Sequence, residues 1–312
     1  MIDPGFNPKD FVQTAEGLLF AVVVPGLEQG RVRGCLRYIQ EGGTWRKYPT
    51  VEANLFLRRF YPEYLYFSHE LDTVIHAVSI GRIEGHYQPK VFLQNILHAS
   101  VSDPVLNDAQ QLLRLFQDQA IDMRQLGITG SLLVGAQTAS SDIDLVSYGL
   151  ATFQDCQASV SRLIQQNVLQ ALDNKAWQET YRRRESSLNY EEYVWHEQRK
   201  NNKALVNGRK FDLSYVDRAS VATEKYQKLG SLKLQATVID DSRAFAYPAE
   251  LVLDHPEIKR VVSFTATYCG QARVGEQIEA SGWIEQSSSG QRRLVVGSSR
   301  EAFGEYIKVV AS

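Results

Sequence analysis

Two aspartates one residue apart, Asp142 and Asp144, are the side chains of this 312-residue chain whose type and spacing most clearly indicate chemistry. The residues that alternate with them, Ile143 and Leu145, are apolar, which predicts a strand with the two acids on one face. Neighbouring carboxylates repel each other unless a cation lies between them, and hard divalent cations prefer oxygen ligands. The pair therefore predicts a divalent metal site.

Two further features are expected to belong to the same site. Gly130-Ser131 precedes the aspartate pair by a short stretch, and it offers a glycine that lets backbone approach a ligand and a serine hydroxyl. Asp212 lies between two apolar residues on a later predicted strand. Chance is a poor explanation for these features at this spacing, with the third acid on a strand of its own.

The combination of Gly-Ser, Asp-x-Asp and a third acid on a following strand resembles the polymerase-beta-type nucleotidyltransferase superfamily. The amino-acid sequences of residues 130–135 and 141–149 are most similar to a poorly characterised archaeal and bacterial branch of this superfamily. Residues 10–20 and 300–308 also resemble that branch, so the resemblance covers most of the chain.

The resemblance implies a site for two magnesium ions, with manganese as the alternative metal, and a nucleoside triphosphate as substrate. Asp142, Asp144 and Asp212 are then the expected catalytic and metal-binding residues, and Asp212 is expected to help deprotonate the acceptor. Gly130 and Ser131 are expected to bind the outer phosphates.

The reaction that the resemblance implies is transfer of a nucleoside monophosphate to an acceptor hydroxyl with release of pyrophosphate. Two alternatives remain open from the sequence. One is a catalytically silent module that binds a nucleotide or RNA. The other is an enzyme that modifies a partner protein, as in toxin–antitoxin systems. The sequence leaves the acceptor open, with RNA and a protein as the candidates.

The chain departs from many superfamily members after Gly-Ser, where it carries Leu132, Leu133 and Val134 in place of arginines. A helix predicted to begin at Asn189 offers substitutes, because four cationic or titratable side chains recur on one helical face: His196, Arg199, Lys200 and Lys203. Arg199, Lys200 and Lys203 are therefore expected to bind phosphate. The alternative is an ordinary solvated helix face.

The predicted fold class is α/β (α+β) with three domains. Residues 1–100 form a small α/β domain, residues 101–233 a nucleotidyltransferase domain with a mixed sheet flanked by helices, and residues 234–312 an antiparallel β-barrel or sandwich. The net charge of −2 excludes the strongly basic class of nucleic-acid-coating proteins. The longest apolar run, residues 17–25, is too short to span a bilayer, which predicts a cytoplasmic protein without a membrane partner.

Overall fold

The computed structural model describes residues 5–71, 73–184, 186–217, 226–297 and 302–311, so Arg300 and Glu301 of the C-terminal similarity lie outside the described residues. Within those ranges the protein is a mixed α/β structure with three sheets and seven α-helices. The chain forms two compact units. The first contains residues 1–155 and 206–222, and the second contains residues 156–205 and 223–312.

The N-terminal sheet belongs to the first unit. Its strands are β1 (Phe11–Thr14), β2 (Leu18–Glu28), β3 (Arg31–Glu41), β4 (Thr44–Lys47), β5 (Leu65–Ser68), β6 (Thr73–Ser79) and β7 (Ile83–Tyr87). They are ordered β5-β6-β3-β2-β1-β7, with β4 beside β3. Helix α1 (Thr50–Phe60) packs on this sheet through Ala53 and Leu57, and helix α2 (Pro89–Leu97) follows β7 in the chain. The buried core includes Leu18, Phe20 and Leu57, so the apolar run near residue 20 is a buried strand, as its composition predicts.

The second sheet is built from the middle of the chain. Its segments are α3 (Pro104–Asp118), β8 (Leu126–Thr129), α4 (Gly130–Leu133), β9 (Ile143–Ser147), α5 (Leu150–Gln165), α6 (Asn174–Arg184), α7 (Tyr190–Gln198), β10 (Lys203–Val206) and β11 (Arg209–Tyr215). The strand order is β10-β11-β9-β8, and β9 is antiparallel to β8 but parallel to β11. The Asp103 side chain caps α3 by accepting hydrogen bonds from the amides of Val105 and Leu106.

The C-terminal strands belong to the second unit. They are β12 (Tyr226–Asp240), β13 (Ala249–Asp254), β14 (Arg260–Ser263), β15 (Gln277–Ser287), β16 (Arg292–Val296) and β17 (Tyr306–Ala311). Their order is β12-β13-β14-β16-β15-β17. Because β12 also pairs with β15, the strands β12, β13, β14, β16 and β15 form a closed ring of pairings. Neighbouring strands are antiparallel except β14 and β16.

The two units do not coincide with the predicted boundaries near residues 100 and 233. At the first boundary, Phe11 and Tyr38 pack in one apolar cluster with Leu133 and Val134, so residues on both sides of position 100 belong to one unit. At the second, helices α6 and α7 contribute Trp177 and other buried side chains to the core of the C-terminal strands. Burial of these apolar faces decides the grouping.

Across the described ranges, no helix combines the length and the apolar character needed to cross a membrane.

Candidate active site

The pairing of β9 with its two neighbours brings two of the predicted acids together. Asp144 of β9 is the Cα partner of Asp212 on the parallel strand β11, and it is also the Cα partner of Thr129 on β8. Asp142 directly precedes β9, two residues before Asp144. The structure therefore brings Asp142, Asp144 and Asp212 to one end of the sheet.

Strand alternation explains why these acids face away from the core. Ile143 and Leu145 on β9, and Phe211 and Leu213 on β11, are all buried, with at most 1% of their surface exposed. The residues between them must then point to the opposite face. The side chains of Asp142 and Asp212 keep 29% and 25% of their surface exposed, which leaves them accessible to a ligand.

Gly130 carries the backbone past Asp144 at very short range. Its φ is +70°, and a β-carbon built on it would lie 2.2 Å from Oδ2 of Asp144. Every other amino acid has a β-carbon, so at this position the Asp144 side chain or the backbone would have to move. The structure thus brings the Gly-Ser segment beside the acids, with Ser131 partly exposed. Phosphate binding by Gly130 and Ser131 stays a prediction.

Lys210 is a site residue that the sequence reasoning missed. Its Nζ lies 2.7 Å from Oδ2 of Asp142 and 3.7 Å from Oδ2 of Asp212. Lys210 precedes Asp212 by two residues on β11, so the period of the strand places the two on one face. That spacing is the signal that would have revealed it. The ammonium partly neutralises the carboxylates.

The electrostatics of the site centre on Asp144. Burial, and next the charge of Asp212, raise the pKa of Asp144 to about 6, and Asp142 adds to the rise. The positive charges of Lys9 and Lys210 act in the opposite direction. Lys9 comes from the N-terminal segment and was also missed by the sequence reasoning, because no local pattern connects it to the acids.

The Arg209 guanidinium holds the loop that leads into β9. Arg209 Nε donates a hydrogen bond to Oδ2 of Asp108 at 2.7 Å, and its Nη1 donates to the carbonyl oxygens of Ala139 and Ser141 at 2.9 and 2.8 Å. The amide of Ser141 donates to the carbonyl of Thr138 at 2.9 Å. These contacts fix the backbone immediately before Asp142.

The donor set suits a hard divalent cation in its chemistry. All three acids offer carboxylate oxygens, which magnesium and manganese prefer. Within the described ranges, however, no group of three or more His, Cys, Asp or Glu side chains has the geometry of a metal site. The Lys210 ammonium lies beside Asp142 and Asp212.

The predicted cationic helix face is wrong. Helix α7 ends at Gln198, and Asn201 adopts a φ of +48°, so the chain turns before Lys203 begins β10. Arg199, Lys200 and Lys203 therefore do not share a helical face. They belong to the second unit, whereas the three aspartates belong to the first.

Each of these cations also has a carboxylate partner. Arg199 pairs with Glu276, while the Nζ atoms of Lys200 and Lys203 lie 2.5 and 2.8 Å from the two carboxylate oxygens of Glu197. Lys200 is only 3% exposed. Phosphate binding by Arg199, Lys200 and Lys203 stays a prediction that none of these contacts supports.

Comparison with known proteins gives one extended similarity. "Uncharacterized protein MJ1086" of Methanocaldococcus jannaschii is 32% identical over 333 aligned positions, which cover 96% of this chain and 98% of that protein. No family model and no solved structure matches the chain.

Proposed function

We propose that this chain, which belongs to the family of the Methanocaldococcus jannaschii protein with similarity along nearly the whole of both chains, is a metal-dependent nucleotidyltransferase. It transfers a nucleoside monophosphate from a nucleoside triphosphate to an acceptor hydroxyl and releases pyrophosphate. One observation carries the proposal: Asp144 and Asp212, far apart in sequence, are register partners on adjacent parallel strands. Asp142 completes a set of three carboxylates at one end of the sheet, and Lys210 Nζ lies near both Asp142 and Asp212.

The three aspartates would hold magnesium in this reaction. When bound, the metal would neutralise charge that develops on the phosphates and lower the pKa of the attacking hydroxyl. Asp212 accepts the proton of the acceptor hydroxyl. The hydroxyl oxygen bonds to the α-phosphorus as the bond to the leaving pyrophosphate breaks. Gly130 lets the backbone pass close to the acids, and the Ser131 hydroxyl donates a hydrogen bond to an outer phosphate.

Arg209 positions the site without touching the substrate. Its hydrogen bonds to the carbonyls of Ala139 and Ser141 fix the backbone that enters β9 at Asp142. A carboxylate that must hold a metal needs such support, because small displacements of a ligand weaken both binding and catalysis.

A second candidate, a nucleotide-binding module without turnover, is favoured by one contact. The Lys210 ammonium engages Asp142 and Asp212, and a permanent internal cation in that position would replace the metal. The two candidates differ in their products, since only the enzyme releases pyrophosphate.

Labelled transfer tests the proposal directly. The purified protein is incubated with magnesium, each α-labelled ribonucleoside triphosphate in turn, and the RNA or the protein fraction of a cell extract. We expect label on one fraction, together with pyrophosphate release. Asp142→Asn, Asp144→Asn and Asp212→Asn should each abolish both signals. Asp118→Asn, at an exposed acid of α3, is the matched control and should leave them unchanged.

Two results would count against the enzyme. Nucleotide binding without pyrophosphate release, with magnesium or with manganese, would favour the silent module. Transfer that survives Asp212→Asn would remove Asp212 from the catalytic residues.

A further inference from the structure

Lys9 adopts a backbone conformation that lysine rarely adopts. Its φ is +80°, in the left-handed region that glycine enters without strain and that costs other residues free energy. The amide of Lys9 donates a hydrogen bond to the carbonyl of Val22 at 3.0 Å, and the amide of Asp10 donates to the carbonyl of Asn7 at 3.1 Å. The fold thus maintains a strained lysine at a position where glycine would fit.

The side chain of Asp10 fixes the same turn from inside. Asp10 is buried, with 2% of its surface exposed. Its Oδ2 accepts a hydrogen bond from the amide of Asn7 at 3.0 Å and lies 2.8 Å from Nε2 of His86. The amide of Val22 donates to the Asp10 carbonyl at 2.8 Å. The turn is therefore braced by strands β2 and β7.

The braced turn is attached to the candidate active site. Thr129 Oγ1 donates a hydrogen bond to the carbonyl of Lys9 at 2.7 Å. Thr129 directly precedes Gly130 and is the register partner of Asp144. The Lys9 charge also acts on Asp144, where it opposes the rise of the carboxyl pKa. A residue of the N-terminal segment is thereby anchored next to the acids.

Lys9 differs from Lys210 and Arg209 because no ion pair occupies its ammonium group within the described part of the chain. Lys210 and Arg209 each pair with aspartates. The residues after Gly130-Ser131 are apolar and offer no charge. Lys9 is exposed and forms no ion pair within the described part of the chain.

We propose that Lys9 binds the outer phosphates of the nucleoside triphosphate. The inference rests on the proposed nucleotidyl transfer and identifies the cation that the sequence motif lacks. A triphosphate brings several negative charges to a site that already holds three carboxylates, so a positive group must face the phosphates as well as the acids. An ammonium on a flexible stem is a common phosphate ligand. The need for this side chain explains the strained backbone at Lys9.

Three substitutions separate the charge of Lys9 from its backbone conformation. Lys9→Gln removes the charge and keeps the strain, Lys9→Gly removes the charge and relieves the strain, and Lys9→Arg keeps both. Lys259→Gln removes an exposed lysine of the second unit and is the control. Calorimetry measures the binding of a non-hydrolysable triphosphate and of the corresponding monophosphate, each with magnesium.

We expect Lys9→Gln and Lys9→Gly to weaken triphosphate binding by about 10- to 100-fold, the range of a hydrogen bond to a charged group. Monophosphate binding should change by less than about twofold, since the monophosphate lacks the outer phosphates. Lys9→Arg and Lys259→Gln should bind both nucleotides like the wild type. Lys9→Gly should in addition raise the thermal midpoint, because glycine relieves the strain.

Equal triphosphate affinity in the wild type, Lys9→Gln and Lys9→Gly would overturn the inference while leaving the proposed function in place. An equal loss for monophosphate and triphosphate would also overturn it, because it would indicate a structural effect. A wild-type protein that binds no triphosphate with magnesium or manganese would overturn the proposed function, and the inference with it.

Discussion

The backbone at Gly130 and the carboxylate of Asp144 are in such close contact that a β-carbon at position 130 would lie 2.2 Å from Oδ2. Gly130→Ala should therefore displace Asp144 or the Gly-Ser segment, and we expect transfer to fall at least about 100-fold, as for a misplaced catalytic group. Steady-state kinetics measures the loss.

Gly135→Ala is the matched control. Gly135 has nearly the same φ, +67°, but a β-carbon there would have no atom within 4 Å. It should lower stability by about 1 kcal/mol through the left-handed backbone alone and leave transfer unchanged. An equal loss of transfer in both variants would refute the importance of the contact with Asp144.

Asp144→Asn should stabilise the protein above pH 6. The folded pKa of about 6 lies above the ordinary value of 3.8. The folded state therefore binds the proton more tightly, and this group lowers the free energy of unfolding as the pH rises from 3.8 to 6. Ionised Asp144 lowers the free energy of unfolding by no more than about 3 kcal/mol in total. Asparagine carries no charge and removes this loss.

Urea unfolding of both proteins at pH 5 and pH 8 tests this prediction. The variant should be more stable than the wild type at pH 8, and the difference should be smaller at pH 5. Magnesium should raise the urea midpoint of the wild type but not that of the variant. A variant that is less stable than the wild type at pH 8 would show that Asp144 has favourable partners that outweigh the repulsion.

Lys210→Met should make the acid cluster depend more strongly on a metal. The substitution removes the ammonium 2.7 Å from Asp142, so repulsion among the carboxylates increases. We expect a lower thermal midpoint without magnesium and a larger increase on adding it than in the wild type. Lys210→Arg keeps the charge and should behave like the wild type. An unchanged response to magnesium in Lys210→Met would favour the silent module.

Arg209→Lys should loosen the loop before Asp142, because lysine cannot reproduce the fork that reaches Asp108, Ala139 and Ser141. We expect faster hydrogen exchange across residues 138–142 and a lower kcat, with a smaller effect on KM. Arg124→Lys, at an arginine whose side chain is 86% exposed, is the control and should change neither. Unchanged exchange in the loop would remove Arg209 from the positioning residues.

Two buried histidines should destabilise the protein in acid. Burial lowers the pKa values of His76 and His196 from 6.5 to about 4. The unfolded chain therefore binds more protons between pH 6.5 and 4, and stability falls as the pH drops through that window, by at most about 3 kcal/mol for each histidine. His76→Gln should reduce the slope of unfolding free energy against pH there. An unchanged slope would show that His76 already titrates normally in the folded protein.

The positions of the three acids were predictable because they depend on local periodicity. The period of a strand is two residues, so the apolar residues that alternate with Asp142, Asp144 and Asp212 are enough to place the acids on the face opposite those apolar residues. The helix start at Asp103-Pro104 was equally predictable, since capping involves only neighbouring residues. Lys210 follows from the same periodicity once Asp212 is known.

The sequence by itself thus determined that the acids share one face of their strands, that a Gly-Ser segment precedes them and that the fold is mixed α/β, all of which depend on short-range pattern and composition. Only the tertiary structure decided that Asp212 pairs with Asp144 in register, that Lys9 is anchored through Thr129, and that α6 and α7 pack with the C-terminal strands. The physical reason is that burial is not directional: an apolar face specifies that it must be covered, but not by which distant segment.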